Sequence, residues 1–265
     1  RGRYRFKPKG VMVIIGPFNF PAHLPHGHYV PALLTGNTII FKPSEKTPAV
    51  GQMIAELAHR SGFPPGVFNV IQGEREMGKR LVMAQVDGVL FTGSYDVGLK
   101  IKTETSSHFW KTVALEMGGK NASIVLDDAD LDKALYENIM GAYLTAGQRC
   151  SATSRIIVTE KISDAFIRDF HQLSKTLSIG YAFGEDEPFM GPLINEDARN
   201  NYLRFQGIAQ REGGETLMRG KALELKHPGY YVTPSIYLMK PSHKTGMYLS
   251  TEIFGPSVGM VVVKN

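Results

Sequence analysis

The sequence is poor in cysteine, with one, Cys150, among 265 residues. A single cysteine excludes an internal disulfide, which favours a reducing compartment, the cytoplasm, over a secreted scaffold. No apolar run approaches the roughly 18 residues that a membrane-spanning helix needs, so no membrane association is expected. No secretory leader opens the chain, which begins at Arg1 without a methionine; we interpret that start as a fragment or a processed product.

A large excess of charge of one sign is also lacking. The chain has 30 basic and 25 acidic residues, a formal net charge of +5, and no run of five or more like charges. No basic stripe or nucleic-acid reader motif is present, so nucleic-acid binding is not expected. A hydrophobic content of 43% with 21% charged residues predicts a globular chain with a substantial core.

Two common site signatures are missing as well. The eight histidines are scattered, and the group His23, His26 and His28 has no cysteine or carboxylate at a recognised ligand spacing, so no metal is expected. We interpret this group as polar surface or as the wall of a substrate tunnel. The G-x-G-x-x-G fingerprint of dinucleotide binding is absent too.

What is present is a regular alternation of apolar strands and helical patterns. Helices are predicted within His23–Thr35, over Pro48–Ser61 with Thr47 as N-cap, and after Gly93. The alternation predicts a parallel, doubly wound α/β sheet. The predicted strands are Gly10–Gly16, Asn37–Lys42, Gly66–Ile71, Val86–Gly93 and Thr112–Met117.

A second set of elements begins after the glycines of "LEMGGK". It contains a strand at Ala122–Leu126, a helix at Asp128–Leu144, a strand at Ser154–Glu160 and a helix at Ile162–Thr176. We therefore predict two α/β domains, 1–117 and 118–265.

The single thiol lies in "TAGQRC", between a polar, flexible approach and a strand. A nucleophilic thiol needs access and thiolate character, and the neighbours Gly147 and Arg149 are compatible with both. The alternative is a buried, inert cysteine, since free cysteine is usually buried.

Other polar residues follow predicted strands, where ligand sites of α/β sheets gather. Glu116, if partly desolvated, has the raised pKa of a general base, or else merely caps a turn. Asn19, held rigidly in "GPFNFP", is either an oxyanion donor or part of an Asx turn. Lys42 and Glu45 either bind ribose hydroxyls or form a solvated pair. The helix start after Gly93 offers N–H groups to a phosphate.

Six motifs in this order resemble the aldehyde dehydrogenase superfamily: "GPFNFP", "FKPSE", "FTGS", "LEMGGK", "GQRC" and "EIFGP". The resemblance covers essentially the whole chain. It implies a Rossmann-like cofactor domain that binds NAD without the usual glycine fingerprint, followed by a second α/β catalytic domain.

The resemblance also implies residue roles. Cys150 is the nucleophile, Asn19 and the Cys150 N–H stabilise the oxyanion, and Glu116 activates water to hydrolyse the thioester. Lys42 and Glu45 match contacts to the adenosine ribose, and Glu45 favours NAD over NADP. The remaining cofactor positions are Gly93, Ser94, Tyr95, Asp96, Val97, Gly98, Glu252 and Phe254.

Within the superfamily, the stretch "GPFNFPAHLPHGHYVPALLTGNTIIFKPSEKTP" and "TAGQRC" are most similar to bacterial succinylglutamate-semialdehyde dehydrogenases. That similarity implies a semialdehyde substrate, a role in arginine catabolism and a homo-oligomeric parent. Family members are longer at both ends, so we expect the isolated chain to be weakly active or inactive.

Two alternatives stay open. One is a dehydrogenase for another semialdehyde, such as that of succinate or glutamate. The other is a nonenzymatic binding protein on the same fold, against which the joint presence of Cys150, Glu116 and Asn19 speaks.

Overall fold

The computed structural model describes residues 2–184, 187–240 and 246–264. The chain forms two compact units, Arg1–Met117 and Gly118–Asn265. A five-stranded sheet lies at the centre of each unit. The assignment of the first unit to NAD binding and of the second to catalysis stays a prediction.

The first unit alternates strands and helices throughout. Its strands all run parallel, in the order β3-β2-β1-β4-β5. The elements are β1 (Val11–Ile15), α1 (His23–Leu34), β2 (Thr38–Lys42), α2 (Pro48–Arg60), β3 (Phe68–Val70), α3 (Arg75–Met83), β4 (Gly88–Gly93), α4 (Tyr95–Glu104) and β5 (Thr112–Met117).

Helices cover both faces of this sheet because successive side chains of a strand point to opposite faces. In β1, Met12 and Ile14 pack with Ala32 of α1, on the face that also holds Ile54 of α2. Val13 packs in the other cluster, with residues of α3 and α4. Strands buried on both faces read as continuous apolar runs, which is why the sequence pattern located them.

The strand order reverses direction between β1 and β4. The chain leaves β1 toward α1 on one face and leaves β4 toward α4 on the other face. In open α/β sheets such a reversal opens a crevice at the carboxyl ends of the strands. Asn19, in the loop after β1, and Gly93, the last residue of β4, therefore lie at the edge of the sheet where ligands bind.

The sequence analysis missed one helix of this unit and located the N-cap of another. Helix α3 was not predicted, although Leu81 and Val82 give it a buried face; a parallel β3–β4 connection requires such a crossover. Thr47 stands at the N-cap position of α2, as predicted, but makes no side-chain cap hydrogen bond, and its Oγ1 is buried without a hydrogen-bond partner among the described residues. Pro48 at the first position lacks an N–H, so the cap has one donor fewer to satisfy.

The second unit contains a mixed sheet in the order β6-β7-β12-β11-β8, in which β8 alone pairs antiparallel. Strands β9 and β10 form a separate antiparallel pair. The elements, including a short 3-10 turn at Leu144–Gly147, are β6 (Asn121–Val125), α5 (Leu131–Tyr143), β7 (Thr153–Thr159), α6 (Glu160–Thr176), α7 (Glu196–Arg211), β8 (Glu215–Met218), β9 (Ala222–Leu223), β10 (Tyr231–Val232), β11 (Ser235–Met239), α8 (Met247–Ser250) and β12 (Ser257–Val263).

The α/β class and the Rossmann-like parallel sheet predicted from the sequence are confirmed. Within the described residues, no helix is both long and apolar enough to cross a bilayer.

Candidate functional site

Cys150 follows a turn with an unusual backbone. Thr145, Ala146 and Gly147 adopt left-handed conformations in succession, with φ of 59°, 53° and 66°. Residues with a Cβ rarely occupy this region, because Cβ approaches the following carbonyl oxygen. The sequence predicted a flexible approach to the thiol; the structure has a defined, strained turn there instead.

Contacts from distant parts of the second unit hold this turn. A Cβ on Gly147 would lie 2.5 Å from the carbonyl oxygen of Gly255, so the two backbones pack directly together. Gln148 Oε1 accepts a hydrogen bond of 3.0 Å from the backbone N–H of Ile194. These contacts supply the energy that a strained conformation needs to persist.

Cys150 itself is half-buried, which is compatible with access for a small reagent. The side-chain amide of Asn121 donates to the carbonyl oxygens of Cys150, at 2.6 Å, and of Ala152, at 3.1 Å. Asn121 was not singled out from the sequence, and its position one residue after "LEMGGK" is the available signal. It ties the start of β6 to the segment that carries the thiol.

Arg149, the residue before the thiol, makes a contact with helix α5. Its guanidinium donates a hydrogen bond of 2.8 Å to the carbonyl oxygen of Met140, near the end of α5. A cation is stabilised there, because the last carbonyls of a helix carry partial negative charge. The guanidinium thus has a structural contact, and the prediction that Arg149 favours the thiolate stays a prediction.

A groove in the second unit brings the Cys150 turn together with the "EIFGP" motif. Two of the predicted cofactor residues, Glu252 and Phe254, line it beside Gly147 and Arg149. The full lining is Gly119, Gly147, Arg149, Ala152, Thr153, Ser154, Glu252, Ile253, Phe254, Gly255 and Ser257.

Glu252 explains one of the glycines of "LEMGGK". A Cβ on Gly118 would lie 2.0 to 2.3 Å from the atoms of the Glu252 carboxylate. Any larger residue at position 118 would displace the carboxylate. Burial raises the pKa of Glu252 above its ordinary value, while a backbone hydrogen bond from Gly119 and the charge of Lys120 oppose that shift.

Lys120 adds a buried cation next to this carboxylate. Its Nζ lies 5.0 Å from the centre of the Tyr248 ring and is buried without a hydrogen-bond partner among the described residues. Burial, helped by repulsion from Arg155 and opposed by Glu252, lowers the pKa of Lys120 to about 7. Lys120 is the last residue of "LEMGGK", and its sequence neighbourhood predicted no role for it.

In the first unit, Asn19 lies half-buried in the loop between β1 and α1. That loop leaves the carboxyl end of a central strand, as the sequence predicted. The neighbouring Phe18 ring makes a cation–π contact with the ammonium of Lys46, whose Nζ lies 4.9 Å from the ring centre.

The structure brings Lys42 and Glu45 together. The Lys42 side chain is buried, donates a hydrogen bond of 2.9 Å to the Pro43 carbonyl oxygen, and places its Nζ 3.5 Å from the Glu45 carboxylate. Glu45 remains open to solvent. An ammonium and a carboxylate so arranged offer a donor and an acceptor to a diol, the chemistry that ribose recognition needs.

The segment Gly93–Gly98 joins β4 to α4. Ser94 stands at the N-cap without a side-chain cap hydrogen bond. The first N–H groups of α4 are thus not occupied by the cap residue. A Cβ on Gly98 would lie 2.4 Å from Met117 Sδ, so glycine is needed for the helix to pack on β5. Tyr95 and Val97 are exposed. These features, with Lys42 and Glu45, fit the pyrophosphate and ribose of NAD.

Glu116 departs from expectation. It lies near the end of β5 and in register with Thr92 of β4, but its side chain is exposed rather than partly desolvated. Thr92 Oγ1 forms a hydrogen bond of 2.9 Å with Nε2 of His28. His28 is half-buried, whereas His23 and His26 are exposed. Of the three histidines, His28 alone therefore lies against the polar end of this sheet.

Each unit thus assembles its own share of the predicted residues. In the first, Asn19, Lys42, Gly93 and Glu116 all lie at the carboxyl ends of parallel strands. In the second, the Cys150 turn meets Glu252 and Phe254. In the described part of the chain, no three His, Cys, Asp or Glu side chains cluster as metal ligands do.

Comparisons with known proteins identify the family of this chain. A model of the aldehyde dehydrogenase family matches residues 2–265. N-succinylglutamate 5-semialdehyde dehydrogenases of Legionella pneumophila and Escherichia coli are each 41% identical, over 253 and 256 residues, which is 95% of this chain in both cases. The resemblance to the family that the six motifs indicated is confirmed.

One solved structure is that of PnpE in complex with nicotinamide adenine dinucleotide. It matches 98% of this chain with a TM-score of 0.92 and 37% identity, and 53% of that protein is covered. The two curated relatives are covered over 50% and 51% of their lengths. The chain therefore spans about half the length of the curated relatives it matches.

The strained turn leads to a first prediction. Gly147→Ala places a methyl group against the Gly255 carbonyl and on a positive φ, so we expect it to destabilise the second unit by about 1 to 3 kcal/mol. Released from the turn, Cys150 becomes more exposed. Maleimide labelling of this sole cysteine should then accelerate severalfold.

The matched control is Gly191→Ala, since the nearest atom to a Cβ there is 3.9 Å away. We expect its stability and labelling rate to equal those of the wild type. Equal labelling of both variants would show that the turn does not depend on Gly147.

The buried cation leads to a second prediction. The pKa of Lys120 is about 7 in the folded chain, below the ordinary value of 10.5. Between these pH values the unfolded chain binds more protons, so this residue makes the stability of the wild type rise with pH. Lys120→Met should therefore be more stable than the wild type at pH 6, with an advantage that narrows toward pH 9.

Thermal unfolding followed by circular dichroism across this pH range measures the difference. Lys133→Met is the control, because Lys133 is exposed on α5, and its difference from the wild type should not change with pH. A constant difference for Lys120→Met would mean that its ammonium is not desolvated.

Proposed function

Since this chain belongs to the aldehyde dehydrogenase family, we propose that it carries the reacting groups for an NAD-dependent oxidation of an aldehyde to the carboxylic acid by the complete polypeptide. The observation that best supports the proposal is the turn before Cys150. Three consecutive left-handed residues are costly, and such strain clusters at functional sites. Here it precedes the only thiol of the chain.

In this proposal Cys150 begins the reaction. Its thiolate attacks the aldehyde carbon, a carbon–sulfur bond forms, and the carbonyl oxygen becomes an oxyanion. The amide of Asn19 and the backbone N–H of Cys150 donate hydrogen bonds to that oxygen. Fixed donors stabilise the developing charge better than water does, because they need no reorganisation during the reaction.

We assign NAD binding to residues from motifs in both units. Lys42 and Glu45 would hold the adenosine ribose, and the charge of Glu45 favours NAD over NADP by repelling a 2′-phosphate. Residues 93–98 would hold the pyrophosphate, and Glu252 and Phe254 the nicotinamide ribose. When bound, NAD supplies the hydride acceptor that the oxidation requires.

Glu116 acts in the second half of the proposed reaction. Its carboxylate removes a proton from water, the resulting hydroxide attacks the thioester carbon, and the Cys150 thiolate leaves as the acid is released. Two smaller barriers thereby replace one difficult step. The exposed position of Glu116 is compatible with access to water.

For the substrate we propose N-succinyl-L-glutamate 5-semialdehyde, and with it a role in arginine catabolism. The support is the sequence identity to two dehydrogenases named for this aldehyde. A thiol nucleophile needs a reducing compartment, so we assign the reaction to the cytoplasm. A homo-oligomeric state of the complete polypeptide stays a prediction.

The experiment that tests the function compares the wild type with Cys150→Ser in the complete polypeptide. We expect the wild type to reduce NAD with this semialdehyde faster than with those of succinate or glutamate. Cys150→Ser should lose activity by a factor of about 1,000 or more, because an alcohol lacks thiolate character at neutral pH. Near-normal turnover by Cys150→Ser would refute the proposal, and a preference for another aldehyde would refute the substrate.

The role of Glu116 predicts a separation of two steps. Glu116→Gln keeps the shape of the side chain but cannot accept a proton. We therefore expect an unchanged burst of NADH and a steady-state rate reduced by about 100-fold or more. Stopped-flow absorbance resolves the two phases, and an unaltered steady state would contradict the assignment.

A further inference from the structure

A second titratable group lies at the same end of the first unit's sheet as Glu116, against the register partner of that residue. His28, on α1, is half-buried and its Nε2 is 2.9 Å from Oγ1 of Thr92, a buried residue near the end of β4. No step of the reaction described above uses His28.

The sheet register orients Glu116 toward the same helix. Phe91 and Leu115 are register partners and pack in the cluster on the α3 and α4 face. Their neighbours Thr92 and Glu116 are also register partners, so both point to the opposite face. Helix α1 covers that face, and there His28 contacts Thr92.

The electrostatics agree with this arrangement. Burial lowers the pKa of His28 below its ordinary value, while the Glu116 carboxylate opposes that shift. Burial therefore favours the neutral imidazole, which has one unprotonated ring nitrogen, and the nearby carboxylate favours the imidazolium that forms when this nitrogen takes up a proton.

Strands β1, β2 and β4 also pack on α1. The charged group among them is Lys42, whose ammonium is directed to Pro43 and Glu45. Thr92 is neutral, and the other histidines of α1, His23 and His26, are exposed. The carboxylate that acts on His28 is thus Glu116.

We propose that His28 is a positioning residue for Glu116 that receives the proton Glu116 takes from water and so restores its carboxylate for the next turnover. The inference rests on the proposed function of Glu116 as the base. The proton leaves the Glu116 carboxyl for the unprotonated ring nitrogen of His28, and the imidazolium then releases it to bulk water. Thr92 holds the ring by its hydrogen bond.

The test uses p-nitrophenyl acetate with the complete polypeptide, because this ester acylates the thiol directly and needs no hydride transfer. The nitrophenol burst reports acylation and the steady state reports deacylation. We expect His28→Gln, which can keep the bond to Thr92 but cannot titrate, to leave the burst unchanged. Deacylation should fall by about tenfold or more, with loss of the limb of the pH profile that reports the histidine.

Three further measurements separate proton transfer from a structural role. Added imidazole should restore deacylation in His28→Gln. If that variant folds poorly, His28→Asn takes its place in the same measurement. In a Glu116→Gln background, His28→Gln should have no additional effect, since both act in one step. His26→Gln, exposed on the same helix, should match the wild type.

Unchanged deacylation and pH profile in His28→Gln, or effects of His28→Gln and Glu116→Gln that multiply, would overturn the inference. So would a lack of rescue by imidazole in a folded variant. Ester hydrolysis that survives in Cys150→Ala would instead refute the proposed function, whatever the His28 variants do.

Discussion

The backbone contact between Gly147 and Gly255 is the constraint on which the thiol-bearing segment depends. Left-handed conformations at Thr145 and Ala146 cost free energy that the local sequence does not recover. Gly147 and Gly255 are more than 100 residues apart in the chain, and their close packing holds the turn in this conformation. The same contact joins "GQRC" to "EIFGP", so the position of the nucleophile and that of a proposed cofactor clamp are set together.

In the first unit the comparable constraint is the parallel register of the sheet. All five strands end at the same edge. Lys42 and Gly93 are the last residues of β2 and β4, and Asn19 lies in the loop that follows β1. Register alone also pairs Glu116 with Thr92, which brings the carboxylate to the face where His28 lies. Residues that are far apart in the sequence are thus brought to one polar end of the sheet.

The second unit contains two partly buried charged side chains, Lys120 and Glu252, whose hydrogen bonding is incomplete among the described residues. Lys120 Nζ and Glu252 Oε1 are both buried without a hydrogen-bond partner in the part of the chain that the structure describes. Desolvated charges are expensive unless each is paired and fully hydrogen-bonded. The attraction between their opposite charges offsets part of that cost. Glu252 lines the groove, where its Oε1 can accept a hydrogen bond from the proposed ribose.

The amino-acid sequence by itself determined the five strands of the first unit, β6 and β7 of the second, most of the helices up to α6, the α/β class and the family, because buried strands and strand-end motifs are local patterns. It missed α3, whose mixed polar composition carries a weak signal, and it predicted neither α7 and α8 nor β8 to β12. It also misjudged the approach to Cys150 and the exposure of Glu116. Only the tertiary structure decided those, together with the parts of Asn121, Lys120 and His28. Strain, desolvation and charge neighbourhood arise from contacts between segments far apart in the chain, and no local pattern records them.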